Sequence, residues 1–190
     1  MSTMKQATYN LTGIAPMLQH NVQLSDPLSP VTKAMKEITS KKDKSDSDYE
    51  ALSKLEWMGG LYTNKDGRII VPSENIEAVV YEAAKKNKLG KSFASALYVE
   101  ESSILEYDGP KDIEKLYAAG KNISKVSVKV QRNRVMRTRP MFPAWSLIFT
   151  VHYNSSIINE KMIDNAIQMA GTIIGLGDWR PKYGRFIVEK

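Results

Sequence analysis

The sequence predicts an α+β protein. Three observations carry that reading: alternating apolar segments near both ends of the chain, two separate stretches with apolar residues at helical spacing, and a strongly β-forming run between them. Lys5 to Thr12 alternates, with Ala7, Tyr9 and Leu11 on one face, and ends at Gly13 and Pro16. Pro72-Ser73 opens a helix in which Ile76, Val79, Val80, Ala83 and Ala84 form one apolar stripe through Lys86. Ala96 to Tyr107 is extended and breaks at Asp108-Gly109-Pro110. Ser146 to Tyr153 is apolar on both faces, with Leu147, Phe149 and Val151 against Ile148, which predicts a central position in a sheet. Ile163, Ala166, Ile167, Ala170 and Ile174 mark a second helix ending at Gly175, and Phe186 and Val188 alternate in a last short strand.

The elements therefore run strand 5–12, helix 73–87, strand 96–107, strand 146–153, helix 160–174, strand 183–189. That is βαββαβ, the order of a ferredoxin-like fold. It is expected as a single domain over residues 1–190 with insertions at 21–71 and 108–143. In the first insertion, Ser29-Pro30 starts a short helix carrying Val31, Ala34, Met35 and Ile38. Residues 40–48 have no apolar side chain to bury and are expected as an exposed, mobile loop. A helix from about Tyr49 to Met58 stops at Gly59-Gly60, and Leu61 to Val71 reads as a hairpin around Asn64-Lys65-Asp66-Gly67. In the second insertion, a small helix around Asp112 to Ala118 precedes a strand from Ile123 to Val130. Val126, Val128 and Val130 face one way along that strand, and Lys125, Ser127 and Lys129 the other.

A hydrophobic content of 42% is enough for a real core. With no cysteine there is neither a disulfide framework nor a thiolate metal site, and His20 and His152 are the two remaining soft ligands. No apolar run approaches the roughly 18 residues that span a bilayer, and Met1 to Leu11 lacks the apolar core of a signal peptide. The expectation is a protein of the bacterial host cytoplasm with no membrane partner.

The formal charge of +6, from 27 basic and 21 acidic residues, matters less than where it sits. From Lys121 to Arg139 there are seven basic residues and no acidic one. Within this run Lys125, Lys129, Arg132, Arg134, Arg137 and Arg139 are candidate phosphate contacts, because arginine binds phosphate bidentately and no acid nearby in sequence compensates them. In an extended chain Arg132 and Arg134 project to one face, and Arg137 and Arg139 to the other. The segment Gly175-Leu-Gly-Asp-Trp-Arg-Pro-Lys-Tyr-Gly184-Arg-Phe supplies a second candidate surface. Its three glycines permit positive φ, Trp179 and Tyr183 offer stacking faces, and Arg180, Lys182 and Arg185 offer phosphate donors. The competing reading is a helix-ending glycine followed by a packed aromatic turn.

His20, after Pro16-Met17-Leu18, is the one weak catalytic candidate, as a general acid or base for RNA cleavage. Asp26, Glu100, Glu101 and Asp178 show no spacing that suggests a metal, and there is neither a nucleophile elbow nor a P-loop. No cofactor, metal or catalytic activity is expected.

Three motifs resemble a known family. Thr12-Gly-Ile-Ala-Pro16-Met-Leu after the first strand, Ile70-Val-Pro72-Ser-Glu-Asn-Ile-Glu-Ala opening the first core helix, and the terminal Gly-Leu-Gly-Asp-Trp-Arg-Pro-Lys-Tyr-Gly-Arg-Phe resemble the RAMP superfamily, the ferredoxin-like RNA-binding subunits of CRISPR effector complexes. The whole chain also looks like a group of small proteins of tailed phages and prophages, through Arg-Thr-Arg-Pro and Gly-Asp-Trp-Arg-Pro. The RAMP likeness implies that 108–143 is a thumb hairpin laid across RNA, with the glycine-rich loop in the same groove. The expected function is a non-catalytic binder of single-stranded RNA or DNA, a homo-oligomer or filament along the strand, in replication, recombination or counter-defence. The alternatives are a metal-independent RNA-processing nuclease using His20 and a virion or assembly protein whose basic patch neutralises packaged genome.

Overall fold

The computed structural model describes residues 4–189, with Val130 by its backbone alone. The strands are β1 (Met4–Gly13), β2 (Met17–Leu18), β3 (Ile70–Val71), β4 (Leu97–Val99), β5 (Ser103–Ile104), β6 (Glu106–Tyr107), β7 (Ile123–Val130), β8 (Asn133–Phe142), β9 (Trp145–Asn154) and β10 (Phe186–Glu189). The helices are α1 (Pro30–Thr39), α2 (Asp46–Gly60), α3 (Ser73–Lys86), α4 (Gly90–Ala96), α5 (Ile113–Ala118) and α6 (Glu160–Met169). The protein is thus mixed α+β with antiparallel sheets. The chain divides into two compact units: one takes the residues up to Met17, Thr63–Asp108 and those from Pro143 onward, the other Leu18–Tyr62 and Gly109–Phe142. Most of the two segments expected as insertions, 21–62 and 109–142, lies in one unit, in which α2 packs on β8, while 63–71 belongs to the first unit.

In the first unit the sheet runs in the order β10-β1-β9-β4, all antiparallel, with β6 also on β9. β9 is central, as its composition predicts. Tyr9 lies opposite Phe149 and Leu11 opposite Leu147, and these side chains, with Val151 and Tyr153, are buried on one face. On that face lie α3, through Ile76, Val79, Val80 and Ala83, and α6, through Ile163, Ala166 and Ile167. The Tyr9 hydroxyl donates to Asp164 Oδ1 on α6 at 2.7 Å, and burial, with the carboxylate beside it, raises the phenol pKa far above its usual value. The opposite face carries Thr8, Asn10, Thr150 and Ile148, and here the expectation of burial on both sides fails: Ile148 is 64% exposed. The stretch read as one strand over 96–107 is three short ones, because the chain leaves β9 after Val99, pairs β5 with β3, and returns at Glu106. The helix read as 160–174 is α6 plus a π-helical turn, Ala170–Ile174, closed by the Gly175 N–H donating to Ala170 O at 2.8 Å.

In the second unit α2 packs on the hairpin β7–β8. Trp57, fully buried, donates from Nε1 to Asn122 O at 2.8 Å. Ser53 and Thr138 share a buried hydroxyl hydrogen bond of 2.8 Å, and the Gln19 N–H donates to Pro140 O at 3.1 Å. The helix ends at Gly60, at the glycine pair as expected. A Cβ at Gly60 would stand 2.8 Å from the Pro140 ring, so glycine here also allows the close approach of α2 to β8.

The stretch expected as a loop over 40–48 is shorter, since α2 begins at Asp46. Ser45 and Asp48 form a capping box, which organises the first turn without any apolar anchor. The Asp48 carboxylate accepts from Lys41 Nζ at 2.6 Å and from the Ser45 N–H at 3.0 Å, and these bonds, the lysine first, lower its pKa to about 2.

Two outcomes follow. Truncation of Trp57 to alanine empties the centre of the second unit and should cost about 3–5 kcal/mol in a denaturant melt. The Asp48 pKa lies below its unfolded value, so its stabilising effect is complete above about pH 4 and is lost as the pH falls toward 2. Asp48→Asn should therefore melt below wild type at neutral pH, with the gap closing at about pH 2.

Candidate nucleic-acid interface

The basic residues of the second unit lie on β7–β8. The register pairs Val130 with Asn133, Lys129 with Arg134, Val128 with Val135, Ser127 with Met136, Val126 with Arg137 and Lys125 with Thr138. Gln131 and Arg132 form the two-residue turn, and Gln131 takes φ +54°, a conformation that two-residue hairpins demand and that glycine or asparagine usually supplies. Arg132 therefore sits in the turn rather than in the strand. Lys125, Ser127 and Lys129 are exposed while Val126 and Val128 are half-buried, as the alternation predicts.

Lys129 and Arg134 are direct cross-strand neighbours on one face, and both are exposed. Like charges placed directly opposite on a ribbon destabilise it, and an anion between them reverses the sign. Met136, 55% exposed, is on the same face.

Arg137 and Arg139 differ from the rest of the cluster. No acid near them in sequence compensates them, yet Arg137 Nη1 donates to Glu56 Oε1 at 2.9 Å, across 81 positions of sequence. Oε2 of the same carboxylate accepts the Thr138 N–H at 2.8 Å, and the Glu56 side chain is 7% exposed. Arg139 is half-buried, with Nε and Nη1 out of contact with solvent. Of the six candidate contacts on this ribbon, Lys125, Lys129, Arg132 and Arg134 are exposed, whereas Arg137 and Arg139 are half-buried at the base of the hairpin.

The glycine-rich loop belongs to the first unit. Gly175, Gly177 and Gly184 all have positive φ, at 82°, 88° and 73°. The close approach at Gly184 is to the protein itself: its N–H donates to Pro16 O at 2.8 Å, its carbonyl accepts the Leu176 N–H at 2.8 Å, and a Cβ would overlap the Leu176 carbonyl. Gly175 and Gly184 thus close the loop on the protein's own backbone. The aromatic residues do not sink into the core. Trp179 is 43% exposed and stacks on Tyr183 with ring centroids 5.7 Å apart, and Lys182 Nζ lies 5.8 Å from each ring centre. Arg180 Nη1 lies 3.3 Å from Glu82 Oε2 on α3. Lys182 and Arg185 are exposed.

His20 is exposed, and its carbonyl accepts from the Tyr62 hydroxyl at 3.2 Å. On the open face of the first unit, a cavity of about 580 Å³ is lined by Glu100, Glu101, Glu106, Thr150 and His152 among others. His152 Nε2 is 3.3 Å from Glu100 Oε2 and its ring stacks on Tyr98 at 5.0 Å. Carboxylates around this cavity disfavour a phosphate there. Among the described residues no group of three His, Asp or Glu side chains can hold a metal, and no helix is long and apolar enough to cross a membrane.

No protein-family model matches the chain, and no curated protein matches it.

Because Trp179 packs on the loop's own surface, replacing it with alanine should shift unfolding free energy by no more than about 0.5 kcal/mol, as surface substitutions do. A thermal melt checks this, and a loss of about 3 kcal/mol or more would assign the ring to the core.

Proposed function

We propose that the protein is a non-catalytic binder of single-stranded nucleic acid. One observation carries the reading: four exposed cations, Lys125, Lys129, Arg132 and Arg134, on a two-stranded ribbon with Lys129 directly facing Arg134. A polyanion threaded along that face relieves the repulsion and gains four charge-assisted contacts. The stacked Trp179–Tyr183 pair with Lys182 supports the same reading in the first unit, since a base can stack on an exposed indole while a nearby ammonium takes its phosphate.

The sheet order β10-β1-β9-β4 with α3 and α6 on one face also supports reading the first unit as ferredoxin-like. Numbered as the four core strands, that order is 4-1-3-2, joined as βαββαβ. Together with the RAMP-like motifs, this favours a binder that assembles in copies along its strand, in a phage setting of replication, recombination or counter-defence.

The test is a titration of labelled single-stranded RNA and DNA over a range of salt concentrations. If the four cations of the ribbon each meet a phosphate, log affinity should fall with log salt with a slope of about −3 from this surface alone, at about −0.7 per contact. Lys129→Gln with Arg134→Gln should make the slope shallower by about 1.4. Trp179→Ala should weaken binding by about 1–3 kcal/mol through lost stacking. A slope indifferent to salt would overturn the reading.

A further inference from the structure

We infer that Glu56 is an internal substitute for a phosphate: it binds Arg137 through Nη1, balances the guanidinium charge, and so limits how many phosphates the hairpin can hold. The inference rests on the proposed nucleic-acid reading and concerns how strongly that surface grips. The geometry is that of an oxyanion site already filled. One carboxylate oxygen accepts the Arg137 guanidinium at 2.9 Å and the other accepts the Thr138 backbone N–H at 2.8 Å. A phosphate at a basic strand would be held by the same pair, a charged planar fork and a main-chain amide. The carboxylate is buried at 7% exposure while the arginine side chain is 39% exposed, so the cation is within reach of solvent and the acid is not. A mobile phosphate has to displace a charge that is fixed, desolvated and bonded on both oxygens. Arg137 thus remains with Glu56, and the hairpin grips through Lys125, Lys129, Arg132 and Arg134.

Glu56→Gln keeps an oxygen for the Thr138 N–H but turns an N–H₂ toward the guanidinium, donor against donor, and removes the charge. Arg137 is then free to swing to a ligand. The experiment compares full-length wild type, E56Q and E50Q by titrating a labelled oligothymidylate at several salt concentrations, with circular dichroism melts to establish that each is folded. Glu50 is exposed on the same helix, so E50Q changes net charge equally without touching Arg137. E56Q should bind more tightly than E50Q, with a slope steeper by about 0.7, one additional contact. Equal slopes for folded E56Q and E50Q would overturn the inference.

The double variant Glu56→Gln with Arg137→Gln, which removes both charges, keeps the test decisive where E56Q alone fails to fold. Its slope should equal that of wild type, and a slope shallower than wild type by about 0.7 would show that Arg137 already met a phosphate. If wild type binds no nucleic acid, the functional reading falls, and a phosphocellulose column still tests the guard: E56Q should elute at higher salt than E50Q, and co-elution would overturn it.

Discussion

The second unit depends on the docking of one helix against the base of one hairpin. Neither α1–α2 nor β7–β8 encloses a core by itself, and an isolated two-stranded ribbon is marginal in water. What joins them is a patch in which apolar burial and buried hydrogen bonds coincide. Trp57 is fully enclosed with its N–H satisfied by Asn122 O, Thr138 is bonded through both its hydroxyl and its amide, and Gly60 lets the Pro140 ring come to the helix backbone. Trp57, Ser53 and Glu56 of the helix each bond a group of the hairpin or of the residue before it, so a shift of the ribbon by one residue would unpair several at once. The placement of the exposed cations follows from that register. Lys129 and Arg134 share a face because the register sets them directly opposite each other.

Much of this was legible in the sequence, and the rest failed for identifiable reasons. The strands β1, β7 and β9 and the helices α3, α5 and α6 follow from local periodicity, which a single chain reports well. The partnership between the two insertions is not local. Glu56 and Arg137 stand 81 positions apart, and nothing in either neighbourhood marks them as a pair. An acid beside a tryptophan near the end of a helix, just before a glycine pair, was the available signal, since a charge there needs a partner once the helix is packed. The glycine pair has a second meaning that no local pattern reports. It ends the helix at Gly60, and in the fold it also marks where the Pro140 ring of β8 comes close.

The glycine-rich loop shows how one pattern can carry two meanings. The glycines serve closure, through the bonds among Gly184, Leu176 and Pro16, and the aromatic residues between them are left outside the core. A loop pinned at both ends by main-chain bonds, and tied to α3 through Arg180 and Glu82, presents Trp179 and Tyr183 at little entropic expense on binding. Local sequence supplied the residue types, but whether the indole faced inward or outward was a tertiary question. The exposed Ile148 on the central strand answers to the same rule: β-propensity reports fit to a pleated surface, and only the layers packed on the sheet decide which face is covered.

The order of the chain through the two units has a consequence for synthesis. The second unit is complete once Phe142 has been made, whereas the first cannot close its sheet until β10 is available, because Leu11 and Thr12 of β1 pair with Val188 and Ile187. A nascent chain emerging from the ribosome therefore holds β1 without one of its neighbours until residues 186–189 have been made, with the apolar face of β1 awaiting helices that arrive later. The second unit can therefore assemble before the first, whose sheet closes only once β10 has joined β1, an order set by the place of each strand in the chain rather than by the stability of either part.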